Sequence, residues 1–208
     1  MKILALLRLL LAWLGLAAIP LAAIHLGTAR NSQPQHSAQP AASHSAAPSG
    51  APTGPASSSG QTMNMLVTLY GWDDNSPPGC DTAYSGCAGG AGTFSDPITF
   101  ATDKSELPVG TVVYYPPLQR YFVMGDDCAA CDQDWSGQGP DGGPNFRHID
   151  LWSGGGSGDD HGALLSCEDN WTSDGQVPVI VNPPDNEPVA NGGSGGSIFT
   201  ASSSQCWQ

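Results

Sequence analysis

The sequence is short of positive charge. Six lysines and arginines stand against nineteen aspartates and glutamates, a formal net charge of −13. Such a chain has little with which to neutralise phosphates, which argues against nucleic acid and anionic membrane surfaces as partners. Neutral glycans are compatible with it. Helix signals are also scarce. Glycine and proline, 27 and 18 of them, interrupt the chain every few residues and leave only short β-favouring runs between. Residues 30 to 62 lack anything to bury, being almost purely Ser, Ala, Pro, Gln, Gly and His. Ordering that backbone would cost entropy with no return, so a disordered tether is expected there.

What precedes the tether is apolar. Lys2 and Arg8 lead into LLLAWLGLAAIPLAAIHLG, which predicts a signal peptide over 1–29, with cleavage after Ala22, Ala23 or Ala29. An uncleaved membrane anchor is the alternative reading. Both place the remainder outside the cytoplasm, secreted or tethered. Residues 63–208 then form one domain.

All six cysteines, Cys80, Cys87, Cys128, Cys131, Cys167 and Cys206, fall in that domain. An even count in an exported chain predicts disulfides, with Cys80 and Cys87 suited to each other across one short loop. Cys206 is expected to pin the glycine-rich tail to the body. Zinc held by Cys128, Cys131, His148 and His161 is the competing arrangement. A redox role for CAAC lacks the surrounding strand–helix pattern. The stretch CDQDWSGQGPDGG (131–143) places Asp132, Asp134 and Asp141 near glycines but lacks the closing glutamate of a calcium loop, so a solvated acidic loop is expected. No metal and no cofactor is expected, and the protein is expected to be a monomer.

Six short strands are predicted, over 63–72, 97–102, 110–116, 119–127, 146–152 and 177–184, with one short helix over 162–171. This is the pattern of a small all-β barrel or sandwich. The fifth strand carries NFRHIDLWSGG (145–155). Period-two alternation puts His148, Asp150 and Trp152 on one face and Ile149 and Leu151 on the other. One face suits a core, the other chemistry or a ligand.

Three segments in order resemble known families. TLYGW (68–72) is similar to the T-x-Y-G opening of expansins and related barwin-like endoglucanases. FATDKSELPVGTVVYY (100–115) resembles the K-x-LP-x-GT-x-V stretch of rare-lipoprotein-A-type lytic transglycosylases and of the three-aspartate domain. VMGDDCAAC followed by RHIDLW resembles their D-x-G…R-I-D-L segment and the H-x-D-L of expansins. The resemblance implies a six-stranded double-psi β-barrel with long disulfide-stapled loops. It also implies catalytic positions at Asp103, at Asp127 (with Asp126 as the adjacent option) and at Asp150. Two departures stand out. The transglycosylase pattern usually has histidine where this chain has Asp103, and the endoglucanases carry aspartate after T-x-Y where this chain has Gly71.

Glycosidic cleavage needs a proton donor at the leaving oxygen, and usually a second carboxylate. Asp150 suits the acid, since burial would raise its pKa toward a useful range. Asp127, Asp103 or Asp74 would stabilise developing positive charge. Trp72, Trp135 and Trp152 would serve as platforms for sugar rings, with Tyr70, Asp74, Asp126 and His148 lining the substrate groove. Each residue also has a plainer reading: the aspartates as turn and strand-end groups, the tryptophans as core, His148 as a brace for Asp150. The expected function is a secreted protein acting on cell-wall glycan, cleaving it with an aspartic acid. The alternatives are an expansin-like non-catalytic module and a protease inhibitor or effector on the same barrel.

Overall fold

The computed structural model describes residues 60–207. The expected leader, and the tether up to residue 59, lie outside the described residues. Six strands close into a barrel: β1 (Gln61–Gly71), β2 (Ile98–Ala101), β3 (Val112–Tyr115), β4 (Arg120–Asp126), β5 (His148–Gly154) and β6 (Val177–Val181). Their order is β1-β6-β3-β4-β2-β5, and β5 returns to β1 to complete the ring. Two pairs are parallel, β1 with β5 and β2 with β4, and the other four are antiparallel. This is the small six-stranded double-psi barrel expected from the resemblance. Closure leaves the ring without an exposed edge.

Alternation explains the interior. Met65, Val67 and Leu69 of β1 meet Ile149 and Leu151 of β5, Phe100 of β2, Phe122 and Met124 of β4, and Val113 and Val179 of β3 and β6, all buried. The barrel begins two residues before the expected Met63. Gln61 and Thr62 keep polar side chains outside, yet their backbones pair with Val181 and Ile180. A ladder needs only the main chain, so composition gave no sign of it.

Three pieces lie outside the ring. Helix α1 (Ala129–Ser136) packs on β5, helix α2 (His161–Trp171) packs on β1 and β5, and the hairpin β7 (Phe199–Thr200) with β8 (Gln205–Cys206) joins the end of β5. The α2 helix follows the expected range. Asp160 caps its first turn by accepting from the Ala163 amide, and its inner stripe is Leu164, Cys167 and Glu168. By contrast, α1 corrects the expectation of a solvated acidic loop. Cys128 caps it, Gly137 ends it in the left-handed conformation, and Asp134 on its inner side is buried. The segment has no apolar stripe, so periodicity could not announce a helix that a disulfide and two caps hold.

All six cysteines are bridged, as Cys80–Cys87, Cys128–Cys131 and Cys167–Cys206. The zinc alternative falls with them, because its two thiolates are consumed. Such cysteine usage belongs to an oxidising, extracytoplasmic compartment. Among the described residues no helix is long and apolar enough to cross a membrane.

Candidate functional site

Register between β1 and β5 assembles the centre. Thr68 lies opposite Asp150, Leu66 opposite His148, and Tyr70 opposite Trp152. The outward side chains therefore meet in one row. Thr68 Oγ1 donates to Asp150 Oδ1 at 2.7 Å and also touches His148 Nε2 at 2.9 Å. On its far side, His148 Nδ1 lies 2.8 Å from Asp134 Oδ2 of α1. Gly139 closes over this contact, and a Cβ there would collide with Asp134 Oδ1.

Asp150, like Thr68 beside it, is part-exposed. Desolvation pushes its carboxyl up to about 7. The Thr68 hydroxyl works against that, and the charges of Asp74 and Asp126 add to it. Asp126 sits beneath, buried. Its Oδ2 accepts from the Tyr70 hydroxyl at 2.9 Å and its Oδ1 from the Ala83 amide at 2.7 Å. Burial and the neighbouring Asp126 raise the Tyr70 phenol above its ordinary value, which keeps it protonated.

A bulge decides which of the twin aspartates turns this way. The β2–β4 register slips between Phe100 and Ala101, so that Ala101 pairs with Asp126. Asp127 is exposed and accepts instead from the Tyr84 hydroxyl at 2.8 Å. Asp103 accepts from the Ser105 amide in the turn that follows β2, and its charge, with that of Asp127, acts on Asp132. Asp103, Asp127 and Asp132 thus form a second acidic group beside Tyr84.

The open face expected for His148 and Trp152 requires correction. Both are buried, at 4% and 6% exposure, since α1 covers the first and the surroundings of Tyr70 the second. Trp152 meets the Tyr70 ring edge-on at 5.2 Å, and both belong to the apolar core. Trp152 nonetheless lines a cleft of about 360 Å³ at the end of β5, together with Ile98, Ser153, Gly155, Phe199 and Thr200. Trp72 and Trp135 remain half-exposed, and the Arg147 guanidinium lies 5.6 Å from the Trp135 ring.

Two carboxyl groups escaped the sequence reading. Glu168 of α2 accepts from the Ser153 hydroxyl at 2.8 Å. A Cβ placed on Gly71 would lie 2.6 Å from Glu168 Oε1, so Glu168 reaches into the room that a side chain after T-x-Y would fill. Asp74 flanks it, its Oδ2 accepting from the Gly71 amide at 2.7 Å. Burial first, then the charge of Asp74, pushes Glu168 up to about 8. Glu106, from the SELP turn, is buried and accepts from the Thr102 hydroxyl and the His148 amide, both at 3.2 Å. Burial pushes it up to about 7, against those donors and Arg147. The helical spacing of Leu164 and Glu168 was the available signal for one. For the other it was the position of Glu106 directly before the Leu-Pro pair of KSELP (104–108).

Among the described residues no group of three or more ligand-type side chains is placed to hold a metal. The row of donors and acceptors is suited to placing and holding a proton at Asp150.

Comparison with known proteins gives a family. The DDB_G0273701 N-terminal domain model matches residues 62–207, the whole barrel with its helices and tail hairpin. A Dictyostelium discoideum protein, "Uncharacterized protein DDB_G0273701/DDB_G0273221", is 35% identical over 105 residues, which is 49% of this chain and 43% of that protein. The alignment thus spans less than half the length of this relative. No solved structure matches. The chain belongs to the DDB_G0273701 N-terminal domain family.

Proposed function

We propose that the protein is exported and acts on a cell-wall polysaccharide, peptidoglycan or a β-glucan, cleaving it with Asp150 as the general acid. One observation carries this reading: Asp150 is a part-exposed carboxyl pushed up to about 7 and surrounded by other carboxyl groups. An acid with that affinity keeps its proton near neutrality and can still release it to a leaving oxygen. Asp126 and Asp74 supply negative charge beside it, which favours a developing oxocarbenium ion. The resemblance of T-x-Y-G and H-x-D-L to glycan-active barrels supports the same substrate class.

Gly71 favours a second reading, an expansin-like module that binds and loosens glycan without hydrolysis. The endoglucanase aspartate is missing there, and the Glu168 carboxyl that fills its room is held neutral until about pH 8. A neutral carboxyl does not activate water. Either form would be secreted, or held at the membrane by the apolar segment at the N-terminus.

The domain should be incubated with peptidoglycan and with cellulose and the soluble products weighed by mass spectrometry. New oligosaccharides, lost by at least about 100-fold in Asp150→Asn with the melting temperature unchanged, are the expected result. Binding without products, retained in Asp150→Asn, would establish the non-hydrolytic reading. Absence of both binding and products would remove the glycan assignment.

A further inference from the structure

We propose that Asp150 and His148 hold one proton in common through the single hydroxyl of Thr68, with Asp134 as the anchor that orients the imidazole. The proposal rests on Asp150 being the reactive acid of the site, and it names the residues that govern its proton.

The argument is a count of hydrogens. A threonine hydroxyl has one proton to donate and lone pairs with which to accept. Thr68 Oγ1 touches two groups that both want that proton, Asp150 Oδ1 at 2.7 Å and His148 Nε2 at 2.9 Å. It can donate to one of them only, so the other contact must bring its own hydrogen. When Asp150 carries the proton, its Oδ1–H donates to Thr68 and Thr68 donates to a neutral Nε2. When the imidazole carries it, Nε2–H donates to Thr68 and Thr68 donates to the Asp150 carboxylate. Both arrangements satisfy every contact. With neither end protonated, one contact sets lone pair against lone pair. With both protonated, the hydroxyl hydrogen has no acceptor in the row.

Passage between the two satisfied forms balances. The Asp150 O–H bond breaks as a new Thr68 O–H forms, and the old Thr68 O–H breaks as the Nε2–H bond forms. No proton enters or leaves. The product is a carboxylate and an imidazolium, and the imidazolium faces Asp134 Oδ2 at 2.8 Å from its Nδ1–H. His148 and Asp134 are buried, at 4% and 1% exposure, so water does not supply this ring directly. Asp150 and Thr68 are part-exposed, so the row meets solvent at these two residues and not at the imidazole.

Other charges face the row from every side. Asp150 has Tyr70 on β1, Asp74 in the loop after β1, Asp126 on β4 and Glu168 on α2. His148 has Asp134 on α1, Asp141 in the following loop and Glu106, paired with Arg147, at its amide. The carboxyls around Asp150 favour its neutral form, whereas Asp134 and Asp141 favour the imidazolium. Burial lowers the affinity of His148 for a proton and raises that of Asp150, which brings the two ends toward each other.

The test is nuclear magnetic resonance on the protein alone, following the Asp150 carboxyl carbon and the His148 ring nitrogens against pH. In the wild type both signals are expected to inflect at one shared midpoint, and Thr68→Ser, which keeps the hydroxyl, should reproduce the coincidence. Thr68→Val removes the bridge without changing side-chain volume much. There the His148 inflection at the Asp150 midpoint should vanish, and the two midpoints should separate by about one pH unit or more. Independent midpoints in the wild type would overturn the proposal, and so would a shared inflection that survives Thr68→Val. If Thr68→Val does not fold, Thr68→Ala removes the same hydroxyl and carries the same expected separation and the same overturning result. No glycan enters the measurement. A shared midpoint in a protein that neither binds nor cleaves glycan keeps the proton bridge and removes the substrate, while unlinked midpoints in an active enzyme do the reverse.

Discussion

Gly71 accepts no side chain, and the reason lies in another element. Besides Glu168 Oε1 at 2.6 Å, a Cβ there would meet Ser153 Oγ at 2.8 Å and Leu164 Cδ2 at 3.0 Å. Gly71→Ala should therefore force α2 away from β1 and lower stability by about 1–3 kcal/mol, read from denaturant melts. Adding Glu168→Ala should return part of that loss, because the tightest contact is then gone. An additive double variant would show that Glu168 is not what Gly71 accommodates. Such reciprocity between a strand glycine and a helix carboxyl leaves no trace in local sequence patterns. TLYGW could be matched to a motif, but what fills the place of the missing aspartate could not be read from it.

Elements differ in how they are held. The six barrel strands support one another through closure, whereas the tail hairpin is held by a short pairing to β5, by buried Ile198 and Phe199, by the Trp171 indole donating to the Trp207 carbonyl at 3.1 Å, and by its disulfide. Cys167 on α2 and Cys206 on β8 enclose 39 residues of separation, so opening this bridge frees a long loop in the unfolded state. Replacing both with serine should lower stability by about 3–4 kcal/mol on the chain-entropy account. Limited proteolysis of that variant should cut first near residues 191–205, leaving the barrel intact. Cleavage inside β1 to β6 at the same rate would show that the bridge supports the barrel itself. The α1 helix stands between these cases. At eight residues it is too short to persist unaided, and the Cys128–Cys131 bridge, the Gly137 cap and the buried Asp134–His148 contact hold it in place.

Across the whole molecule, buried acid dominates the response to pH. Glu106, Asp150 and Glu168 are pushed up to about 7, 7 and 8, each mainly by burial. A carboxyl with a raised folded-state pKa binds protons more tightly in the native state than in the unfolded chain. Its contribution is full below about pH 4 and is lost as pH rises through 7 to 8. His148 works the other way: its affinity is lowered by burial, so its cost appears as pH falls below the ordinary imidazole range. Three carboxyls against one imidazole set the balance above pH 6. The melting temperature should be higher at pH 6 than at pH 8.5 by about 5 °C or more at constant ionic strength. A flat or rising profile over that range would show that these groups stay ionised in the fold.

The barrel was legible in the sequence because a strand's alternation is local. Val67 and Leu69, Ile149 and Leu151, and the β-rich runs between glycines and prolines mark an inside and an outside without reference to anything distant. The even cysteine count, in a chain whose apolar start predicts export, likewise pointed to disulfides, and the short Cys80–Cys87 loop suggested one partner pair. Which groups meet was decided only by the folded chain. Asp126 and Asp127 are adjacent and chemically the same, and a bulge in the β2–β4 pairing turns the first, not the second, toward Tyr70 and Asp150. Asp134 reads as one more acidic loop residue until α1 carries it under the barrel to His148. Trp152 alternates with core residues and so belongs to the outer face, yet that face is itself covered. Strand periodicity says which side of a sheet a residue takes. Whether that side is open to solvent depends on what long-range packing lays over it.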